Sequence, residues 1–124
     1  MADWRYLTSA ELIELSRPHG AGPVIKPEGL ESAVAAPART FGGDELYPDV
    51  ADKAAALAYG VVKVHHPFMD GNKRTAAIGM LTFCYVNGFV PMITQSELVA
   101  LIVLAARGDA DQAAMAGFVR DRLS

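Results

Sequence analysis

The chain has 124 residues, a formal net charge of −3, 52% hydrophobic and 20% charged residues. That length holds one domain with a single core, and the composition excludes an intrinsically disordered chain. The slightly acidic balance excludes broad nucleic-acid binding through a basic face, and a lone cysteine, Cys84, excludes an internal disulfide and reads as a buried thiol.

In chain order, Met1-Ala2-Asp3-Trp4-Arg5-Tyr6 lacks a basic patch ahead of an apolar run, so no secretory leader is expected. Trp4 and Tyr6 read as a candidate contact surface. Thr8-Ser9-Ala10-Glu11 is a capping box, and the pattern predicts a first helix from Ser9 to Ser16, ended by Pro18 and Gly20. The segment Arg17 to Glu28 has no period and reads as a functional loop. Pro27 suits a first helical turn, so a second helix is predicted from Glu28 to Ala36, stopped by Pro37. A second loop, Ala38 to Pro48, holds Phe41-Gly42-Gly43, a turn expected to be pinned onto the core by its ring.

Asp49 can cap a third helix that runs to about His65, with Ala54, Leu57, Ala58, Val61, Val62 and His65 on its inward stripe. His65 is expected to be a hydrogen-bonded core residue. Pro67 ends this helix, because the residue before a proline is pushed away from helical angles. A fourth helix, Asn72 to Asn87 with Gly88 as its stop, is apolar almost all round and is expected to be the most buried element. Its longest apolar run, Ala76 to Val86, is too short for the roughly 20 residues that cross a bilayer. A second capping box, Thr94 to Glu97, opens a fifth helix to Arg107. Asp109 is expected to cap a sixth, Ala110 to Leu123. No strand pair is evident. The expectation is an all-α helical bundle of about six helices around a buried central helix, a single domain over residues 1–124, cytoplasmic and without membrane contact.

The reactive side chains concentrate in His66-Pro67-Phe68-Met69-Asp70-Gly71-Asn72-Lys73-Arg74. A helix N-terminus carries unpaired N–H groups and partial positive charge, and a glycine there lets the chain form a nest for phosphate. Cations in a first helical turn are electrostatically disfavoured, so Lys73 and Arg74 are easiest to explain by a polyanion at the same place. Asp70, just before the nest, is the type of single carboxylate that a proteins contributes to a phosphate-bound Mg²⁺. His66 is the one nearby group that takes a proton near neutral pH. Together these are the parts needed for transfer from a nucleotide to a hydroxyl. Taken singly each has a plainer reading: Asp70 as a helix cap, Gly71-Asn72 as a turn, Lys73-Arg74 as a solvated face. Phe68 reads as a core plug.

These residues resemble the Fic/Doc superfamily. The Fic core H-P-F-x-[D/E]-G-N-G-[R/K]-x-x-R is matched at His66, Pro67, Phe68, Asp70, Gly71, Asn72 and Arg74, and departed from at Lys73 and Ala77. The Doc form, H-x-F-x-[D/N]-[A/G]-N-K-R, is met in full. Gly29-Leu30-Glu31-Ser32-Ala33, Thr40-Phe41-Gly42-Gly43, Tyr47-Pro48, Lys53-Ala54-Ala55-Ala56-Leu57 and Asn87-Gly88 also look like Doc-family blocks. The resemblance implies His66 as general base, Asp70 as holder of Mg²⁺, and Gly71, Asn72, Lys73 and Arg74 as ligands of ATP phosphates. It also implies a toxin that phosphorylates a threonine of elongation factor Tu, with a Phd-like antitoxin whose disordered C-terminal tail folds onto it. Lys73, where Fic proteins that transfer AMP have glycine, narrows and charges the cradle and favours phosphoryl over adenylyl transfer. The self-inhibiting pattern [S/T]-x-x-x-E is absent, and Ala77 replaces the arginine it would pair with, so control is expected from a separate chain. The first two helices are the expected docking groove. A site that no longer catalyses and serves only to bind a partner is the third reading.

Overall fold

The computed structural model describes residues 3–124. It holds six α-helices and one very small hairpin. Helix α1 (Ser9–Ser16) starts as its capping box requires: the Thr8 hydroxyl accepts from the Glu11 N–H at 3.1 Å and the Glu11 carboxylate accepts from the Thr8 N–H at 3.0 Å. Helix α2 (Pro27–Ala35) begins on its proline. Helix α3 (Val50–Tyr59) is capped by Asp49, which accepts from the Asp52 N–H at 2.8 Å. It runs on through a π turn, Gly60–His65. Helices α4 (Asn72–Val86), α5 (Gln95–Arg107) and α6 (Gln112–Arg120) complete the bundle. The all-α class and the helix count agree with the sequence reading.

Several details differ. Thr40–Phe41 (β1) and Asp44–Glu45 (β2) do pair, as an antiparallel hairpin through Gly42-Gly43, both at positive φ. Two-residue strands are too short to show alternation, so only the Gly-Gly turn could have announced them. Phe41 is not pinned to the core; it is 81% exposed. Helix α6 is capped by Asp111 rather than Asp109. The Asp109 N–H is already used to close α5 through the Leu104 carbonyl at 2.8 Å, and its carboxylate pairs with Arg107 at 3.3 Å.

The buried central helix is α3, not α4. Val50, Ala51 and every residue from Lys53 to Ala58 are buried, with α4 and α6 packed on it. The alanines let neighbours approach closely, a burial that hydrophobicity alone does not signal. Helix α4 buries Thr75, Ala76, Gly79, Met80, Phe83 and Cys84 but leaves Tyr85 and Val86 exposed. Burial pushes the Cys84 thiol up to about 11. No helix among the described residues is long and apolar enough to cross a membrane.

Lys53, fully buried, ties the N-terminal segment and the hairpin to α3. Its ammonium donates to Tyr6 Oη at 3.1 Å, the Pro37 carbonyl at 2.9 Å and Glu45 Oε1 at 2.7 Å. The rings of Trp4 and Tyr6 lie 5.1 and 5.4 Å from it. That use of its three donors and two aromatic faces makes the burial of a charge tolerable. Trp4 and Tyr6 are therefore half-buried over the ammonium rather than displayed as a contact surface.

Candidate active site

The π turn at the end of α3 sets where His66 stands. The His66 N–H donates to the Val61 carbonyl, five residues back, at 3.2 Å, and the chain then leaves the helix with His66 at φ 45°, ψ 58°. Among the described residues His66 alone, apart from glycines, has positive φ. A wide turn followed by a left-handed, non-glycine residue is a local cost that folded proteins keep where a side chain must be aimed. Here it turns His66 out to solvent while Pro67 and Phe68 return to the core, where Phe68 is the expected plug. His65, expected to be a hydrogen-bonded core residue, is half-buried in a separate cleft beside the start of α2.

Asn72 holds the loop shut. Its side chain accepts from the Phe68 N–H at 3.0 Å and donates to the Phe68 carbonyl at 2.9 Å. Both ends of the amide are thus committed to the loop, and what Asn72 offers an anion is its backbone N–H. Gly71 caps α4 at φ 82° without a side-chain hydrogen bond. The first bond of the helix runs from the Thr75 N–H to the Gly71 carbonyl at 2.9 Å, so the N–H groups of Asn72, Lys73 and Arg74 precede the helical ladder. A side chain at position 71 would meet the backbone of Ala21 at 2.7 Å as well as a strained φ.

The aperiodic segment between α1 and α2 is the back wall of this loop. The Gly22 N–H donates to the Asp70 carbonyl at 3.1 Å, the Met69 N–H to the Pro23 carbonyl at 2.9 Å, and the Ile25 N–H to the Pro67 carbonyl at 2.8 Å. Arg74 Nη1 donates to the His19 carbonyl at 3.1 Å.

His66, Asp70, Gly71, Asn72, Lys73 and Arg74 all line one cleft of about 540 Å³, completed by Gly20, Val62 and Ala106. The structure thus brings together the six residues to which the sequence reading gave a catalytic, metal or phosphate role. The three added residues lack reactive groups, and Gly20 and Ala106 are brought in by contacts distant in sequence. Asp70, Lys73 and Arg74 make no ion pair among the described residues. Two cations without an ion-pair partner at a positive helix end suit an anion by charge. Among the described residues no three His, Cys, Asp or Glu side chains converge to hold a metal. One carboxylate at the mouth of a phosphate cradle nevertheless fits Mg²⁺, which keeps its waters and takes phosphate oxygens.

Comparison with known proteins covers this same region. A protein named Toxin Doc from Mycolicibacterium smegmatis is 46% identical over 59 residues, which are 48% of this chain and 45% of that protein. The chain thus matches less than half of that relative's length. The family model described as Fic/DOC family matches residues 6–84, from the segment over Lys53 through the π turn and the cleft to the buried half of α4. The chain belongs to the Fic/Doc family.

Proposed function

We propose that the chain is a toxin of a toxin–antitoxin pair that transfers the γ-phosphoryl group of ATP to a serine or threonine hydroxyl of a protein, with elongation factor Tu as the first target. The observation that supports this most is the convergence of His66, Asp70, the open N-terminus of α4 and two unpaired cations on one cleft. In this reading His66 takes the proton of the attacking hydroxyl as the new O–P bond forms. The bond from the γ-phosphorus to the β–γ bridging oxygen breaks, and ADP leaves with its charge matched by Lys73, Arg74 and the α4 N–H groups. Asp70 would hold Mg²⁺, which when bound neutralises charge on the phosphates. Lys73, exposed at the cradle in place of a glycine, supports phosphoryl rather than adenylyl transfer.

The antitoxin reading shifts from the first two helices to the first and fourth. An apolar groove of about 500 Å³ lies between α1 and α4, lined by Leu7, Ala10, Leu15, Thr82 and Val86 with Arg5, Glu11 and Glu14 among its charged residues. It suits the apolar face of a helix that folds on binding, as a Phd-like tail in the cytoplasm would.

The test is to incubate the partner-free chain with ATP, Mg²⁺ and elongation factor Tu and to take the target's intact mass. One added phosphate, absent with His66→Ala, is the expected result. An added AMP would replace the proposal with adenylyl transfer. An unchanged mass would remove elongation factor Tu as the target, and failure to bind Mg²⁺-ATP as well would leave a binding-only protein.

A further inference from the structure

Three consecutive residues of the back wall, Gly20-Ala21-Gly22, run against the cradle in reverse order. A methyl group on Gly20 would lie 2.9 Å from Arg74 Nη1, and one on Gly71 would lie 2.7 Å from Ala21 Cα. A methyl group on Gly22 would lie 2.5 Å from Asp70 Oδ1, 3.3 Å from its Cγ and 3.3 Å from its backbone nitrogen. Gly20 and Gly71 have φ values of 87° and 82°, so their backbone already asks for glycine. Gly22 does not have positive φ. Its backbone admits any residue, and what a side chain would lose there is the space that the Asp70 carboxylate fills.

We infer that Gly22 is a positioning residue for Asp70: the missing side chain and the Gly22 N–H bond to the Asp70 carbonyl together fix where the carboxylate stands at the mouth of the cradle. The inference rests on the reading of Asp70 as the carboxylate that holds Mg²⁺. The atom nearest to the hypothetical methyl is the end of a short side chain that can rotate, whereas the Asp70 backbone nitrogen, at 3.3 Å, is tighter than an ordinary contact and has to give by a few tenths of an ångström. Gly22→Ala is therefore expected to turn the carboxylate away, with a small adjustment of the backbone at Asp70. Metal ligands are commonly oriented by neighbours that never touch the ion, and loss of such a neighbour costs about 10- to 100-fold in metal affinity.

The experiment is calorimetric titration of ATP into the full chain, with and without Mg²⁺, for the wild type, Gly22→Ala, Asp70→Asn and the double variant. The expected result is a loss of about 10- to 100-fold in Mg²⁺-ATP affinity for Gly22→Ala, with metal-free ATP binding unchanged. Asp70→Asn should show a comparable loss, and adding Gly22→Ala to it should cost nothing more. Wild-type Mg²⁺-ATP affinity in Gly22→Ala, beside a loss in Asp70→Asn, would overturn the Gly22 role and leave the Asp70 reading standing. No loss in Asp70→Asn would overturn both. Should Gly22→Ala fail to fold, Gly22→Ala/Asp70→Ala decides: recovery of the fold upholds the steric contact with the carboxylate, and no recovery overturns it.

Discussion

Asn72 shows how one side chain closes the loop that frames a cleft. Its amide makes the two hydrogen bonds that close the loop on Phe68, and Asn72→Ala leaves the Phe68 N–H and carbonyl without them. A loss of about 2 kcal/mol in chemical denaturation is expected, because each stranded backbone group carries a desolvation cost. Thr75, one turn further on, is the reverse case. Its hydroxyl is buried with no hydrogen-bond partner among the described residues. Thr75→Val keeps the shape and removes the stranded group, so a gain of about 1 kcal/mol is expected in the same assay. A net loss would mean that the hydroxyl has a partner after all. Which reactive side chains gather in the cleft was legible in advance, since one short motif carries them. The role of Asn72 was not, because a sequence does not say whether an amide faces a ligand or its own loop.

At the scale of elements, the helix starts were the most legible feature, because a cap is settled within four residues. Both capping boxes and the Asp49 cap formed as read. Asp109 misled because two aspartates two residues apart offer equal local signals, and only closure of α5 decides between them. The Asp49 cap also holds α6: Arg120 donates from Nε to its Oδ2 at 3.0 Å and from Nη2 to Asp52 Oδ1 at 2.8 Å. Burial pushes the Asp49 carboxyl up, but hydrogen bonds from Arg120 and the Asp52 N–H outweigh this and keep it below its ordinary value. At Glu11 a hydrogen bond from Arg5, with help from the Thr8 N–H, takes the carboxyl from 4.5 to about 2. A carboxyl depressed in the folded state contributes stability above its unfolded value, and that contribution is lost as pH falls through the folded one. The melting temperature should therefore drop between about pH 4.5 and 2. Asp49→Ala should cost about 1–2 kcal/mol at pH 7, for the cap and a partly exposed ion pair. In thermal melts at pH 2.5 its deficit should shrink, and an undiminished deficit would assign the effect to packing.

Over the whole molecule, what the sequence hid is what joins distant segments. The back wall of the cleft, the hairpin and the seat of Lys53 all depend on residues far apart in the chain, and periodicity within a helix is silent about them. The Lys53 junction gathers three such segments on α3, so Lys53→Ala should cost about 3 kcal/mol in denaturant unfolding, by stranding the Pro37 carbonyl and the Tyr6 hydroxyl. Lys53→Met, which keeps the volume, should cost less. The same junction divides the four lysines by chemical accessibility. Lys26, Lys63 and Lys73 are exposed, whereas Lys53 is sealed beneath two rings. An amine-reactive reagent would therefore label three of the lysines on the native chain and reach the fourth only through opening of the fold. Protection of Lys73 would report a filled cleft, and late modification of Lys53 would clock local unfolding, two readouts from a single mass spectrum.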